Sequence, residues 1–227
     1  MKATGKVLFY PLSPHVELRK SSTTCSKFED EVDAIWARQA PLRGLYNGTL
    51  LAVDSFTENE IIAFPVEYKY FVASNLDPVL KRKLNIKALG INALTLCRED
   101  ILVGRRSSNA HLYANLIETP PCGSFDAFDI QAHIAREFEE ETGLEASCMV
   151  SCTIVGLFYC TTTGIYDIGV KIEVSSEGRM MPLHCSAEHS LLEWWPLERF
   201  MKLKRDEVVP TSWELVSRFV KNKKALE

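Results

Sequence analysis

Three glutamates, Glu137, Glu140 and Glu141, stand at i, i+3 and i+4 in the stretch "AREFEEETGLEAS" (135–147). A helix advances about 100° per residue, so the three carboxylates share one face within an arc of about 100°. Like charges at that spacing cost roughly 0.2–0.5 kcal/mol per exposed pair, and more where the patch is partly buried. A hard divalent cation removes that cost. Oxygen-only ligands favour magnesium, manganese or calcium over zinc, and magnesium in particular binds one or two carboxylates together with substrate phosphates. The set therefore points to metal-assisted work on a phosphate substrate; the ordinary alternative is a solvated acidic helix face that keeps the chain soluble.

Such a helix has to run from Asp129 to Thr142. Ile130, Ile134 and Phe138 recur at i, i+4 and i+8 as a stripe for burial, Arg136 stands four residues before Glu140 and can hold its carboxylate, and Gly143 falls where a left-handed residue stops a helix. The loop "PPCGSFD" (120–126) precedes it as an extended wall. Earlier in the chain, "KVLFYPL" reads as a short strand. "FEDEVDAIWARQ" (28–39) reads as an amphipathic helix, with acids in its first turn and Phe28, Val32, Ile35 and Trp36 at helical spacing. After the turn signal "YNGT", "LLAVDSF" and "EIIAFPVEYKYFVAS" read as a hairpin, and "DPVLKRKLNI" as a short helix beginning near Asp77. Everything up to residue 87 forms an N-terminal extension to a domain over 88–227.

In that domain, "LGINALTLCREDILVGRRSS" gives two strands around a polar turn, "MVSCTIVGLFYCTTTGIYDIGVKIEVSS" two or three more, and "SLLEWWPLERF" a strand running into a short helix. "TSWELVSRFVKNK" closes as a helix capped by Thr211 or Ser212. Strands mixed with a few helices imply an α/β sandwich around a mixed sheet.

Composition narrows the function classes. A formal net charge of -4 without a lysine or arginine block argues against a nucleic-acid partner. No apolar run is long enough for a membrane span or a signal peptide, so the chain is expected to be cytoplasmic and away from membranes. Seven cysteines at irregular gaps, none in a C-x2-C pair, read as reduced thiols, mostly core filler.

"REFEEETGL" (136–144) resembles the core of the Nudix box, REUxEExGU with U apolar, and fills every fixed position, with Phe138 and Leu144 at the two apolar sites. The front half departs from the pattern. Counted without a gap, the box's first glycine and leading glutamate fall on Cys122 and Phe128; with one deletion they fall on Gly123 and Asp129, the alignment that keeps a glycine and an acid. That departure puts loop geometry in question more than chemistry. "LGINALTLCREDILVGRRSS" and "LLEWWPLERF" are also similar to Nudix segments, so the likeness spans roughly 88–205. The run "IWARQAPLRGLYNGTLLAV" followed by "EYKYF", and the loop "PPCGSFD", resemble the animal Nudix enzymes that split UDP-glucose and UDP-galactose.

The resemblance implies a Nudix-type α/β/α sandwich with an N-terminal α+β extension. It implies a Mg2+- or Mn2+-dependent diphosphatase acting on a small nucleotide substrate, best matched by a UDP-sugar, and releasing nucleoside monophosphate and sugar 1-phosphate. Glu137, Glu140 and Glu141 would be the metal ligands, Glu140 and Glu141 with Arg136 the catalytic part of the box, Arg136 by orienting the cluster. Arg105 or Arg106 would pair with the diphosphate, and only one of these neighbours in a strand should reach the pocket. Glu188 in "HCSAEHS" is the candidate general base, Glu193 the alternative, with His184 and His189 beside that loop. Tyr68 and Lys69 are candidates for contact with base or sugar, against ordinary packing. Rival readings are another Nudix substrate (ADP-ribose, a dinucleotide, coenzyme A) and a non-catalytic Nudix-like nucleotide-binding module. Many relatives dimerise, which leaves a homodimer open.

Overall fold

Leu89–Cys97 is buried at every position, which requires cover on both faces of the strand. The computed structural model of the chain, which describes residues 5–25 and 27–226, supplies that cover from two helices. In chain order the elements are β1 (Val7–Tyr10), β2 (Glu17–Lys20), α1 (Glu29–Arg43), β3 (Thr49–Phe56), β4 (Glu60–Glu67), α2 (Tyr68–Leu76) and α3 (Pro78–Leu84). There follow β5 (Leu89–Cys97), β6 (Asp100–Arg106), β7 (Ile117–Glu118), β8 (Cys122–Ser124), α4 (Ile130–Thr142), β9 (Met149–Cys160) and β10 (Ile165–Val174). The chain ends with α5 (Ser176–Met180), β11 (His189–Pro196), α6 (Leu197–Phe200) and α7 (Pro210–Leu226).

The main sheet has eight strands, in the order β1-β9-β10-β5-β6-β11, with β7 on β6 and β8 on β5. β5 and β10 run parallel and the other pairs antiparallel, so the sheet is mixed. Side chains alternate along β5 as a strand requires. Leu89, Ile91 and Ala93 pack with Ile134 and Phe138 of α4, while Leu94 and Leu96 pack with Leu215 and Val216 of α7. The result is an α/β/α sandwich.

A second sheet, β2-β4-β3, stands beside the first. One of its faces carries Leu50, Ala52, Phe64 and Val66 against Val32 of α1, Tyr70 and Phe71 of α2, and Leu80 of α3. Its other face sends Leu51, Val53, Ile61 and Ala63 into the α4-side core. Backbone bonds join the two parts as well: Leu51 donates to the Phe125 carbonyl at 2.7 Å and Val53 to that of Lys87 at 2.8 Å.

Three local expectations are corrected. Tyr68–Leu76 is a helix, not the end of a strand: pairing of β3 with β4 stops at Thr49↔Glu67, and helix formation buries Tyr70, Phe71 and Ala73 beneath the second sheet. The last helix begins at Pro210, whose missing N–H costs nothing at a helix start, so Thr211 and Ser212 lie inside its first turn instead of capping it. The first helix continues through Pro41 to Arg43, where Gly44 at φ 62 ends it. β1 edges the large sheet against β9. All seven cysteines are free thiols. No helix among the described residues is long and apolar enough to cross a membrane.

Candidate active site

The carboxylates are set by how α4 starts, packs and stops. Asp129 accepts from the Ala132 N–H at 3.0 Å as the N-cap, Ile130, Ile134 and Phe138 are buried, and Gly143 at φ 72 is the left-handed stop. With that stripe buried in the core, the glutamates are graded by depth: Glu140 is exposed, Glu137 half-buried, and Glu141 only 4% exposed.

β8 closes on them from the side. The Cys122 N–H donates to Glu141 Oε2 at 3.1 Å. A glycine at 123 lets β8 lie this close, since a Cβ there would push the Glu137 carboxylate aside. Arg136 reaches back to Asp126 at 2.8 Å, to Glu137 Oε1 at 3.2 Å and to His133 Nδ1 at 2.9 Å; its expected partner Glu140 is not among these contacts. His133 is stacked on Phe125, with ring centroids 4.0 Å apart, and burial followed by the Arg136 charge lowers it to about 4, so it accepts as a neutral ring. Desolvation pushes Glu137 up to about 7, with Arg136 opposing and Glu140 and Glu188 adding to the rise. Desolvation, then the charges of Glu118 and Glu188, holds Glu141 well above the usual carboxylate range.

Across a cavity of about 950 Å³ stand Arg106, Glu118, Tyr68 and Glu188. Arg106 Nη1 donates to both Glu118 oxygens at 2.8 Å and Nε to the Leu112 carbonyl at 3.0 Å. Glu118, only 2% exposed, also meets His189 Nε2 at 2.8 Å. Burial alone would raise Glu118, but His189 and Arg106 bring it below its usual value. Glu188 is held by its carbonyl, which accepts from the Ser107 N–H at 2.7 Å.

The structure thus brings Glu137, Glu140, Arg136, Arg106, Glu188 and Tyr68 to one cavity, with Glu141 behind them. It places others elsewhere. Arg105 points away, exposed, and donates to the Asn115 carbonyl at 2.9 Å. Lys69 is tied to Asp33 at 2.8 Å, with Glu67 and Glu29 at 3.7 and 3.8 Å, and takes no part in the cavity. Glu193 accepts from the Trp195 indole, His184 sits exposed beside Gly143, and His189 is buried on Glu118.

Sequence reasoning missed Glu118, Asp126, Asn92 and Asp167, which also line the cavity. The only signals for them were lone polar residues inside apolar runs, Glu118 in "LIETPP", Asn92 in "LGINAL" and Asp167 in "IYDIGV"; Asp126 had none.

No family model and no curated protein sequence matches the chain. Among solved structures it is similar to the DR0079 protein of Deinococcus radiodurans, at 17% identity over 75% of this chain and 98% of that one, with a TM-score of 0.51. It is also similar to a MutT protein of Methanosarcina mazei Go1 (22% identity, 60% and 95% of the two chains, TM-score 0.46) and to a Nudix hydrolase of Nitrosomonas europaea (14%, 60% and 90%, 0.48). The chain has the fold of the DR0079 protein. On it, the box-like run Arg136–Leu144 forms the second half of α4 and its glycine stop. Gly123, the box glycine in the gapped alignment, is the residue that lets β8 approach Glu137.

Whether this site suits a metal depends on its donors. Among the described residues no three His, Cys, Asp or Glu side chains converge as a ready cage. What the site offers is carboxylate oxygen from Glu137 and Glu140 on the cavity wall, with Arg136 set against the charge of Glu137. That suits a hard divalent ion completing its shell with water and phosphate oxygen.

Proposed function

We propose that the chain is a Mg2+- or Mn2+-dependent diphosphatase that hydrolyses a nucleoside diphosphate-linked small molecule, with a UDP-sugar as the substrate class. The observation that carries this reading is the meeting of Glu137 and Glu140 with Arg106 and Glu188 around one cavity. Glu137, Glu140 and Glu141 would hold the ion, which when bound neutralises phosphate charge and lowers the pKa of a coordinated water. Arg136 is a positioning residue that fixes the Glu137 rotamer through Asp126. Arg106, locked by Glu118, presents a preset guanidinium to phosphate oxygens. Glu188 takes the proton of the attacking water. The water oxygen forms a bond to one phosphorus, the bridging P–O bond breaks, and two monophosphates leave. The UDP-sugar choice rests on the extension's likeness to UDP-sugar enzymes, and is supported by the place of Tyr68 and the 44–50 segment on the cavity rim.

The test is monophosphate release from a panel of UDP-sugars, ADP-ribose, NADH and coenzyme A, with magnesium and with chelator. Expected is magnesium-dependent release of UMP and sugar 1-phosphate, reduced about 100-fold or more in Glu141→Gln. Release from no member by folded protein would overturn the reading in favour of a nucleotide-binding module.

A further inference from the structure

The cavity continues past the carboxylates, on the α7 side of the sheet. There β5 and β10 lie side by side in parallel register, with Gly90 paired to Asp167, and Asn92 and Thr211 complete that end. Asp167, half-buried on the cavity wall, faces Thr211, and among the described residues no basic side chain acts on it. Desolvation without a cation pushes it up to about 7. Asn92 spends its Nδ2 on Ser212 Oγ at 3.0 Å and Cys122 Sγ at 2.7 Å, while its Oδ1 is buried and without a partner. Asp167 can lie against residue 90 only because that residue lacks a side chain: a Cβ there would lie 2.9 Å from both Asp167 Oδ1 and the Gly123 carbonyl oxygen.

A buried acceptor without a partner is costly, and a cavity wall that sets a cation-free carboxylate beside one suits a ligand that brings donors. A carboxylate offers two oxygens side by side, which matches two adjacent O–H groups. The geometry points to a subsite, formed by Asp167, Asn92 and Thr211, that takes a vicinal diol of the substrate. The assignment rests on the diphosphatase reading for the substrate's overall class. A nucleotide sugar carries such a diol on its ribose and on its appended sugar, and the subsite chemistry is common to both.

The experiment is calorimetric binding to the full chain in chelator, where nothing turns over, so that its outcome is separate from that of the activity assay. The probes are UDP-glucose, its 2′-deoxyribose analogue and UDP-2-deoxyglucose. The wild type is expected to lose about 10- to 100-fold in affinity for one analogue, the magnitude of a hydrogen bond to a charged group; which analogue suffers tells ribose from appended sugar. Asp167→Asn and Asp167→Ala should bind UDP-glucose more weakly and bind that analogue no worse than UDP-glucose. Equal affinity of the wild type for all three probes, an unchanged analogue penalty in the variants, or no binding at all would overturn the subsite. So would a wild-type preference for UDP-glucosamine, whose ammonium would mark a cation site instead. Binding with the expected pattern but no turnover would sink the diphosphatase reading and leave the subsite standing.

Discussion

A carboxylate partly withdrawn from water without a cation partner stays charged only at a cost to folding, and Asp167 carries such a cost. Its folded pKa, about 7, lies above the ordinary 3.8. Below about pH 4 both folded and unfolded chains hold the proton and nothing is lost. Between about 4 and 7 the folded chain keeps a proton that the unfolded chain releases, so stability falls as pH rises, and above 7 the penalty is complete. Asp167→Asn should therefore melt several degrees above the wild type at about pH 8, with the gap closing toward pH 4, as followed by circular dichroism. An equal gap at both pH values would show that the side chain is not strained by ionisation. Lys69 shows the opposite arrangement: three acids surround it, and its pKa is raised chiefly by Asp33, as befits a structural cation.

At the scale of elements, the contact of β8 with α4 sets the reach of the acidic cluster. Gly123→Ala would drive a methyl group into the Glu137 carboxylate and displace it by about an ångström, which is expected to lower kcat about 100-fold while the melting temperature changes little. Steady-state kinetics beside a melting curve would check this; unchanged kcat would remove Glu137 from the reaction. α4 itself was legible in the sequence because apolar stripe and stop agree, and the structure bounds it at Ile130–Thr142, with Asp129 not its first residue but its cap. α2 was not. "VEYKYFVAS" is as apolar and aromatic as a strand, and only the end of the β3–β4 ladder at Glu67 and the apolar cluster that takes Tyr70 and Phe71 decide for helix. Thr211 and Ser212 look like caps in the sequence, but long-range partners claim their side chains: Asp167 for one, Asn92 and the Thr119 N–H for the other.

For the whole molecule, the cavity is assembled from stretches far apart in the chain, near 44–50, 68–71, 90–92, 106–126, 136–140, 160–167, 187–188 and 209–211. A local pattern can nominate Arg105 or Arg106, yet it is the pairing of β6 with β7 and β11 that turns Arg106 inward onto Glu118. Lys69 was nominated beside Tyr68 for the same reason, and helical geometry sends the two side chains apart. The floor and rim of this cavity also differ in kind. β5 is covered on both faces, whereas the rim passes through Tyr46, 85% exposed, just beyond the helix end at Gly44. Amide hydrogens of Leu89–Cys97 should therefore trade for deuterium only when the whole chain unfolds, and those of Tyr46 and Asn47 within the dead time of a mixing experiment. Adding UDP-glucose should slow uptake at the rim alone. The chain would then keep two clocks, a floor timed by global unfolding and an entrance timed by local opening, and substrate would reset only the faster one.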